Sequence, residues 1–180
     1  MQQSSFLNPA AAVHKAGLLD GQRVADYSGG AGFFARAAAR TVGQDGVVWF
    51  VDPNQDLLVR IKNLALGEGL HNVEVVHGNV EKVGGSKLLD ASVDLVIVAN
   101  VLFSSNNKAG VAAETARVLR RGGRALVVDW RGSFGGLGPS SEHVVQQAVA
   151  KSLFEQYGLV FKEDIPVGAY HWGCILKKKT

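Results

Sequence analysis

Short apolar runs alternate along the chain with longer segments in which apolar residues recur at helical spacing. Short runs rich in β-branched residues predict strands, whereas three- and four-residue spacing predicts amphipathic helices. The run DLVIVAN at positions 94–100 is almost continuously apolar, which is typical of a central strand covered on both faces. The pattern predicts seven strands: Arg23–Tyr27, Val47–Val51, Val73–His77, Val93–Ala99, Ala125–Asp129, Leu159–Ile165 and Tyr170–Leu176.

Helical segments are predicted before the first strand and between the later ones. The first has Asn8 as its N-cap and Pro9 at its first helical position, and extends to about Lys15. The other helices are predicted at 33–41, from 52–53 to 67, from about 111 to 123, and at 141–157. This alternation indicates an α/β fold with a doubly wound, mostly parallel sheet, and the turn at 166–168 makes the last two strands an antiparallel hairpin.

The composition fits a globular protein of one domain. The chain has 180 residues, of which 47% are apolar and 19% charged, so positions 1–180 are interpreted as a single domain. No bilayer-length apolar segment or secretory leader is present, so we expect a cytoplasmic protein without a membrane partner. The net charge of +3 includes a lysine run at 177–179, interpreted as a solvated tail.

A metal site is not expected from the residues available. One cysteine, Cys174, excludes an internal disulfide and a cysteine-built zinc site. The five histidines are scattered and show no metal-binding spacing. We therefore predict no metal.

The segment VADYSGGAGFFARAAAR, at 24–40, contains a strand, a tight turn and a helix. Gly30 and Gly32 let the backbone approach a ligand closely, and the helix that follows directs free N–H groups toward it. Asp52 stands about twenty residues further on, at the end of the second strand, where a carboxylate can accept hydrogen bonds from ribose hydroxyls. The arrangement predicts a nucleoside-binding site.

Two kinds of nucleoside cofactor fit such a turn, and Asp26 distinguishes them. A nicotinamide dinucleotide would place a doubly charged pyrophosphate against the turn, and a carboxylate at the end of the first strand would repel it. S-adenosylmethionine (SAM) has no phosphate and carries an ammonium and a sulfonium group, which an acidic side chain suits. Asp26 therefore favours SAM, and an NAD(P) oxidoreductase is disfavoured.

The ordered motifs resemble those of the class I SAM-dependent methyltransferases, especially the small-molecule branch of ubiquinone/menaquinone biosynthesis. VADYSGGAG is similar to the first motif, with Ser28 in place of the usual first glycine, and VVWFVDP is similar to the second. Asn79 stands where the family usually has an acidic residue near the adenine. DLVIVANVLF and ETARVLRRGGR are similar to the elements around the fourth and fifth strands. The resemblance implies a Rossmann-like fold and SAM as cofactor.

The resemblance also implies roles for residues at the carboxyl ends of the strands. The expected cofactor-binding residues are Asp26, Tyr27, Ser28, Gly29, Gly30, Gly32, Asp52, Pro53, Asn79, Val80, Asn100 and Val101. His143 is the candidate acid or base. The candidate acceptor-facing residues are Phe6, His14, Trp130, Arg131, Tyr170 and His171, and residues 1–17 are expected to form a helical lid over the cofactor.

A SAM-dependent enzyme that methylates a small molecule is the leading interpretation. An open pocket would also admit a protein side chain or an RNA base, although the sequence after the fourth strand, ANVLF, lacks the signature of amino-methylating DNA enzymes. A degenerate SAM-binding module without catalysis is a further alternative, favoured by Ser28 and Asn79.

Overall fold

Seven strands form one sheet in the computed structural model, which describes residues 6–180. The strands are β1 (Arg23–Asp26), β2 (Val47–Asp52), β3 (Val73–His77), β4 (Val93–Ala99), β5 (Leu119–Trp130), β6 (Leu159–Asp164) and β7 (His171–Lys178). Their spatial order is β3-β2-β1-β4-β5-β7-β6. Neighbours among β1–β5 pair in parallel, whereas β7 is antiparallel to both β5 and β6. The predicted sheet with its closing hairpin is confirmed.

Asparagine side chains define where three of the helices begin. The helices are α1 (Pro9–Lys15), α2 (Phe33–Val42), α3 (Gln55–Gly67), α4 (Lys108–Val118) and α5 (Gln147–Glu155). The Oδ1 atoms of Asn8, Asn54 and Asn107 each accept an amide from the first turn, at 3.0–3.1 Å. These bonds satisfy donors that the helix itself cannot. In contrast, the N-cap of α2 is Gly32, which offers no side-chain cap.

The helices cover both faces of the sheet and create two cores. Along β4, Leu95 and Ile97 belong to one buried cluster, together with residues of α1, α2 and α3. Val96 and Val98 belong to the other cluster, which includes residues of α4 and α5. This alternation follows from the two-residue period of a strand, and covering both faces explains why β4 is almost entirely apolar.

The structure corrects two predicted boundaries. The predicted helix at 141–157 is divided into a 3₁₀ turn, Ser141–His143, and α5. Between them the chain is extended at Gln146 (ψ 140°), and the carbonyl of Val145 accepts a hydrogen bond from Trp172 Nε1 at 2.9 Å. The strand predicted at 125–129 instead extends from Leu119 to Trp130, since Leu119 already pairs with Val93.

The N-terminal segment lies beside the carboxyl ends of the strands at Phe6, Leu7 and Pro9, the last of which is the first residue of α1. Phe6, within the segment expected to form the helical lid, precedes α1, which begins at Pro9. α1 packs through its buried residues Ala12 and Val13 into the same core as α2. Residues 1–5 of the predicted lid lie outside the described residues, and a lid function for this segment stays a prediction.

Candidate functional site

The glycine turn, residues 27–32, joins β1 to α2 and uses its glycines for two different purposes. A Cβ at Gly29 or Gly30 would meet no atom of the described chain within 4 Å, so both positions face open space. A Cβ at Gly32 would lie 2.7 Å from Ile61 Cδ1, so this glycine is needed for packing on α3. Gly30 and Gly32 both have positive φ angles (90° and 67°), which side chains rarely adopt. The space for a ligand is therefore at Gly29 and Gly30.

Ser28 is compatible with the turn although it replaces the usual glycine. Its φ angle is not among the positive values found in the chain, so a side chain causes no strain there. Its amide and hydroxyl both donate hydrogen bonds to Asp26 Oδ1. These two hydrogen bonds thus connect the turn to the end of β1.

Asp26 lies beneath the glycine turn and is fully buried. Its Oδ2 has no hydrogen-bond partner in residues 6–180. Burial raises the pKa of Asp26 to about 7, although the hydrogen bonds from Ser28 act in the opposite direction. The carboxyl group does not line the adjoining cavity. Through its hydrogen bonds with Ser28 the carboxyl group orders the turn, and its direct contact with a cationic group stays a prediction.

Asp52 ends β2, beside the end of β1, and is half-buried. Its Oδ1 accepts the amide of Asn54 at 2.7 Å, which fixes the direction of the carboxylate. Residues 6–180 donate no hydrogen bond to Oδ2. That oxygen is available to accept a ribose hydroxyl, while Pro53 follows as an exposed residue whose carbonyl contacts His77 Nε2 at 2.9 Å.

Asn79 and Val80 follow β3 on the other side of this carboxylate. Asn79 is exposed, and its Oδ1 accepts the amide of Glu81 at 2.9 Å. An amide oxygen has two lone pairs, so one remains for a further donor. Val80 is nearly buried and belongs to the same apolar cluster as Tyr27. Of these two expected cofactor residues, Asn79 is therefore at the surface and Val80 lies beneath it.

The segment after β4 is held in an uncommon backbone conformation. Asn100 has a φ of 57°, and its amide donates to the carbonyl of Val128 at 2.9 Å. Its Oδ1 is buried without a hydrogen-bond partner in the described chain. Left-handed backbone at a non-glycine residue is often found at functional sites. Val101, the next expected residue, is half-buried.

Asp129, at the carboxyl end of β5, fixes this segment and was not singled out from the sequence. Its Oδ2 accepts the amides of Leu102 and Phe103 at 2.9 and 3.2 Å, and its Oδ1 accepts the amide of Trp130 at 2.8 Å. Burial raises the pKa of Asp129 to about 6. An acidic residue at the end of an otherwise apolar strand was the signal that could have identified it.

A cavity of about 440 Å³ opens between the glycine turn, the residues before α1 and the ends of β4, β5 and β7. We call it the apolar cavity, because side chains such as Phe33, Phe34 and Leu7 form much of its wall. It brings together six of the sequence-predicted residues: Phe6, Ser28, Gly29, Asn100, Trp130 and His171. Phe33 and Phe34 were not predicted, although their place directly after the turn could have indicated them.

The remaining acceptor-facing candidates and the candidate base His143 do not line the apolar cavity. His14 is exposed on α1 and does not line the apolar cavity. Arg131 is exposed, and its Nη2 donates to the carbonyl of His171 at 3.1 Å. The Tyr170 ring contacts the ring of Phe6, with centroids 5.5 Å apart. His143 is exposed, bonds to Ser140 Oγ at 2.8 Å and lines a separate cavity of about 510 Å³.

His171 is the histidine that faces the apolar cavity. It starts β7 opposite Trp130, and the two rings are tilted by 38° with centroids 4.3 Å apart. The residue is 2% exposed, and neither ring nitrogen has a hydrogen-bond partner in residues 6–180. Burial lowers the pKa of His171, so the imidazole is neutral near pH 7.

Two further classes of site are absent from the part of the chain that the structure describes. Among residues 6–180, no group of three or more histidine, cysteine, aspartate or glutamate side chains is placed to hold a metal ion. No helix within residues 6–180 combines the length and the apolar character needed to cross a bilayer.

The chain belongs to the SAM-dependent methyltransferase family. Residues 24–123, more than half of the chain, match the family model described as "Methyltransferase domain". This segment extends from β1 to the irregular start of β5 and so contains the glycine turn, Asp52, Asn79 and Asn100.

Similar sequences include ubiquinone/menaquinone biosynthesis C-methyltransferases from bacteria. The protein from Laribacter hongkongensis is 35% identical over 115 residues, and that from Hahella chejuensis is 34% identical over 119 residues. These matches cover 64% and 66% of this chain but 46% and 47% of the relatives. The chain therefore spans about half the length of the curated relatives it matches.

Solved structures with the same fold cover almost the whole chain. A SAM-dependent methyltransferase from Aquifex aeolicus superimposes with a TM-score of 0.86 at 24% identity, covering 96% of this chain and 90% of its own. The [4+2]-cyclase SpnF superimposes with a TM-score of 0.80 at 14% identity, covering 96% and 80%. Both confirm the Rossmann-like fold.

SAM is the cofactor of this family, and the residues present fit it. The open space at Gly29 and Gly30 leaves room for a ligand that lies close to the backbone of the turn. Asp52 Oδ2 is free for a ribose hydroxyl, and Asn100 Oδ1 is a buried acceptor that lacks a donor in the described chain. Buried polar atoms are rarely left without partners, so these positions are suited to a polar ligand.

Proposed function

We propose that this protein transfers the methyl group of SAM to a small molecule bound in the apolar cavity. The observation that carries the proposal is the continuity of this cavity with the glycine turn: Ser28 and Gly29 form one wall, while Trp130 and His171 form another. A cofactor seated on the turn and an acceptor in the cavity would share one space.

The composition of the cavity wall supports a small, largely apolar acceptor. Phe6, Leu7, Phe33, Phe34 and Trp130 surround a volume of about 440 Å³, which is in the range of small-molecule pockets. No lysine or arginine lines this cavity in the described part of the chain. A nucleic-acid substrate would call for cations along its phosphates, so RNA is a weaker candidate. The names of the curated relatives favour a carbon atom as the methyl acceptor.

In this proposal the residues of the chain bind the cofactor and orient its methyl group toward the acceptor. SAM, when bound, supplies an electrophilic methyl group on a positively charged sulfur. Asp52 would hold the ribose through Oδ2, and Asn79 would accept a hydrogen bond from the adenine amino group. The turn from Tyr27 to Gly32, ordered from below by Asp26, would receive the methionine end, and Asn100 would lie beside the reacting group. Alignment of acceptor and methyl group accounts for much of such catalysis, since good orientation can supply roughly 7–11 kcal/mol.

Labelled methyl transfer tests this proposal. The protein is incubated with methyl-labelled SAM and cell extract, and the label is measured separately in small molecules and in precipitated protein and RNA. We expect label in the small-molecule fraction and a loss of labelling in Asp52→Ala. Label in the macromolecular fraction would favour the protein or RNA alternative, and no transfer by a protein that binds SAM would favour a non-enzymatic module.

A further inference from the structure

His171 differs from the other four histidines in what its ring contacts. The ring of His143 bonds to Ser140 Oγ, that of His77 bonds to the carbonyl of Pro53, and His14 and His71 are exposed. His171 is buried, lines the apolar cavity, and has two ring nitrogens without partners in residues 6–180. Leaving a buried polar atom unpaired is unfavourable, which points to a ligand group that completes the bond.

The surroundings of His171 keep its ring at the cavity wall. The Trp130 ring packs against it at 4.3 Å, and the two residues are paired in the antiparallel ladder between β5 and β7. Arg131 donates a hydrogen bond to the His171 carbonyl, which fixes the backbone from outside. The imidazole is therefore held in the cavity wall by Trp130, and its two buried nitrogens have no hydrogen-bond partner in residues 6–180.

We propose that His171 is the general base of the acceptor site, receiving the proton of an acceptor O–H or N–H group. This inference rests on the proposed function. In a neutral imidazole one ring nitrogen carries hydrogen and the other has a free lone pair. No carboxylate bonds to the ring in the described chain, so nothing but the ligand competes for that lone pair.

The step balances in atoms and charge. The acceptor's lone pair forms the bond to the methyl carbon, the electrons of the sulfur–carbon bond remain on sulfur, and the acceptor's proton passes to the imidazole nitrogen. The positive charge lost at sulfur reappears on the imidazolium, which releases its proton to solvent. For a carbon acceptor activated by a neighbouring hydroxyl, the hydroxyl proton passes to His171 and the displaced C–H proton returns to that oxygen.

Phenol and toluene are matched probes for this role because they differ by a hydroxyl group and a methyl group on the same ring. Their affinities are measured by NMR titration of the protein saturated with S-adenosylhomocysteine. In His171→Phe, which keeps a planar ring against Trp130, we expect the phenol-to-toluene affinity ratio to fall about fivefold, as for one lost hydrogen bond. In the control His143→Phe the ratio should equal that of the wild type.

The ring ¹⁵N shifts of His171 give a readout that needs no variant to fold. We expect phenol, but not toluene, to shift one ring nitrogen of the wild-type protein. An unchanged affinity ratio in His171→Phe, unperturbed His171 nitrogens, or a failure of phenol to bind would each overturn the assignment of His171. Calorimetry of S-adenosylhomocysteine with the same wild-type sample separates the two proposals, because a protein that does not bind it contradicts the proposed function itself.

Discussion

The variant Asp26→Asn tests how the carboxyl group under the glycine turn contributes to stability. Asparagine keeps an Oδ1 that can accept the Ser28 amide, and it places an NH₂ group where Oδ2 has no partner in the described chain. The substitution removes the ionisation of residue 26 while preserving its size. The difference between variant and wild type, followed against pH, therefore isolates the titration of this one group.

The sign and size of the effect follow from the pKa of Asp26, which burial raises from 3.8 to about 7. A carboxyl group with a raised pKa stabilises the folded state fully below its unfolded pKa, and this contribution is lost as the pH rises through the folded pKa. Each pKa unit corresponds to about 1.4 kcal/mol, so the full loss is about 4 kcal/mol. Between about pH 5 and about pH 8 the linkage relation gives a loss of about 2.5 kcal/mol.

Urea unfolding of both proteins at these two pH values is the assay. We expect the free energy of unfolding of the wild type, relative to Asp26→Asn, to fall by about 2.5 kcal/mol as the pH rises. Other titrating groups act equally in both proteins and cancel in the difference. A difference between the two proteins that is the same at both pH values would show that Asp26 ionises normally in the fold and would refute the reasoning.

Three further substitutions have expected outcomes. Asp52→Ala should weaken SAM binding at least about tenfold in calorimetry, because the loss of a charged hydrogen-bond acceptor costs about 1.5–3 kcal/mol; unchanged affinity would contradict the ribose assignment. Gly29→Val should abolish SAM binding with little change in melting temperature, since its side chain enters open space, whereas the control Gly67→Val should bind normally; equal binding by both would make the turn purely structural. Asp129→Asn should lower the free energy of unfolding by about 2–4 kcal/mol, because an amide can no longer accept from all three backbone donors; a loss below about 0.5 kcal/mol would contradict this role.

The fold was largely predictable because its signals are local. The apolar runs that become β3 and β4 have the predicted bounds, and Asn8 and Pro9 begin α1 as expected. The break before α5 was not predictable from periodicity. It depends on the hydrogen bond from Trp172 Nε1 to the Val145 carbonyl, which joins residues far apart in sequence.

The candidate site was predictable to the level of its motifs. The residues around Asp26, Asp52 and Asn100 all lie at the carboxyl ends of parallel strands, as the motif order implied. The different tasks of Gly29 and Gly32 were not visible, because they depend on where Ile61 of α3 packs. Similarly, the separate positions of His143 and His171 follow from the pairing of β5 with β7, which brings residue 171 beside Trp130.

A crystal structure with S-adenosylhomocysteine bound tests the central claim most directly. We predict electron density for the ribose within hydrogen-bonding distance of Asp52 Oδ2, and for the homocysteine end over Gly29 and Gly30 beside the cavity lined by Trp130 and His171. Density for the nucleoside elsewhere on the protein, or a glycine turn that binds a dinucleotide pyrophosphate in its place, would contradict the account.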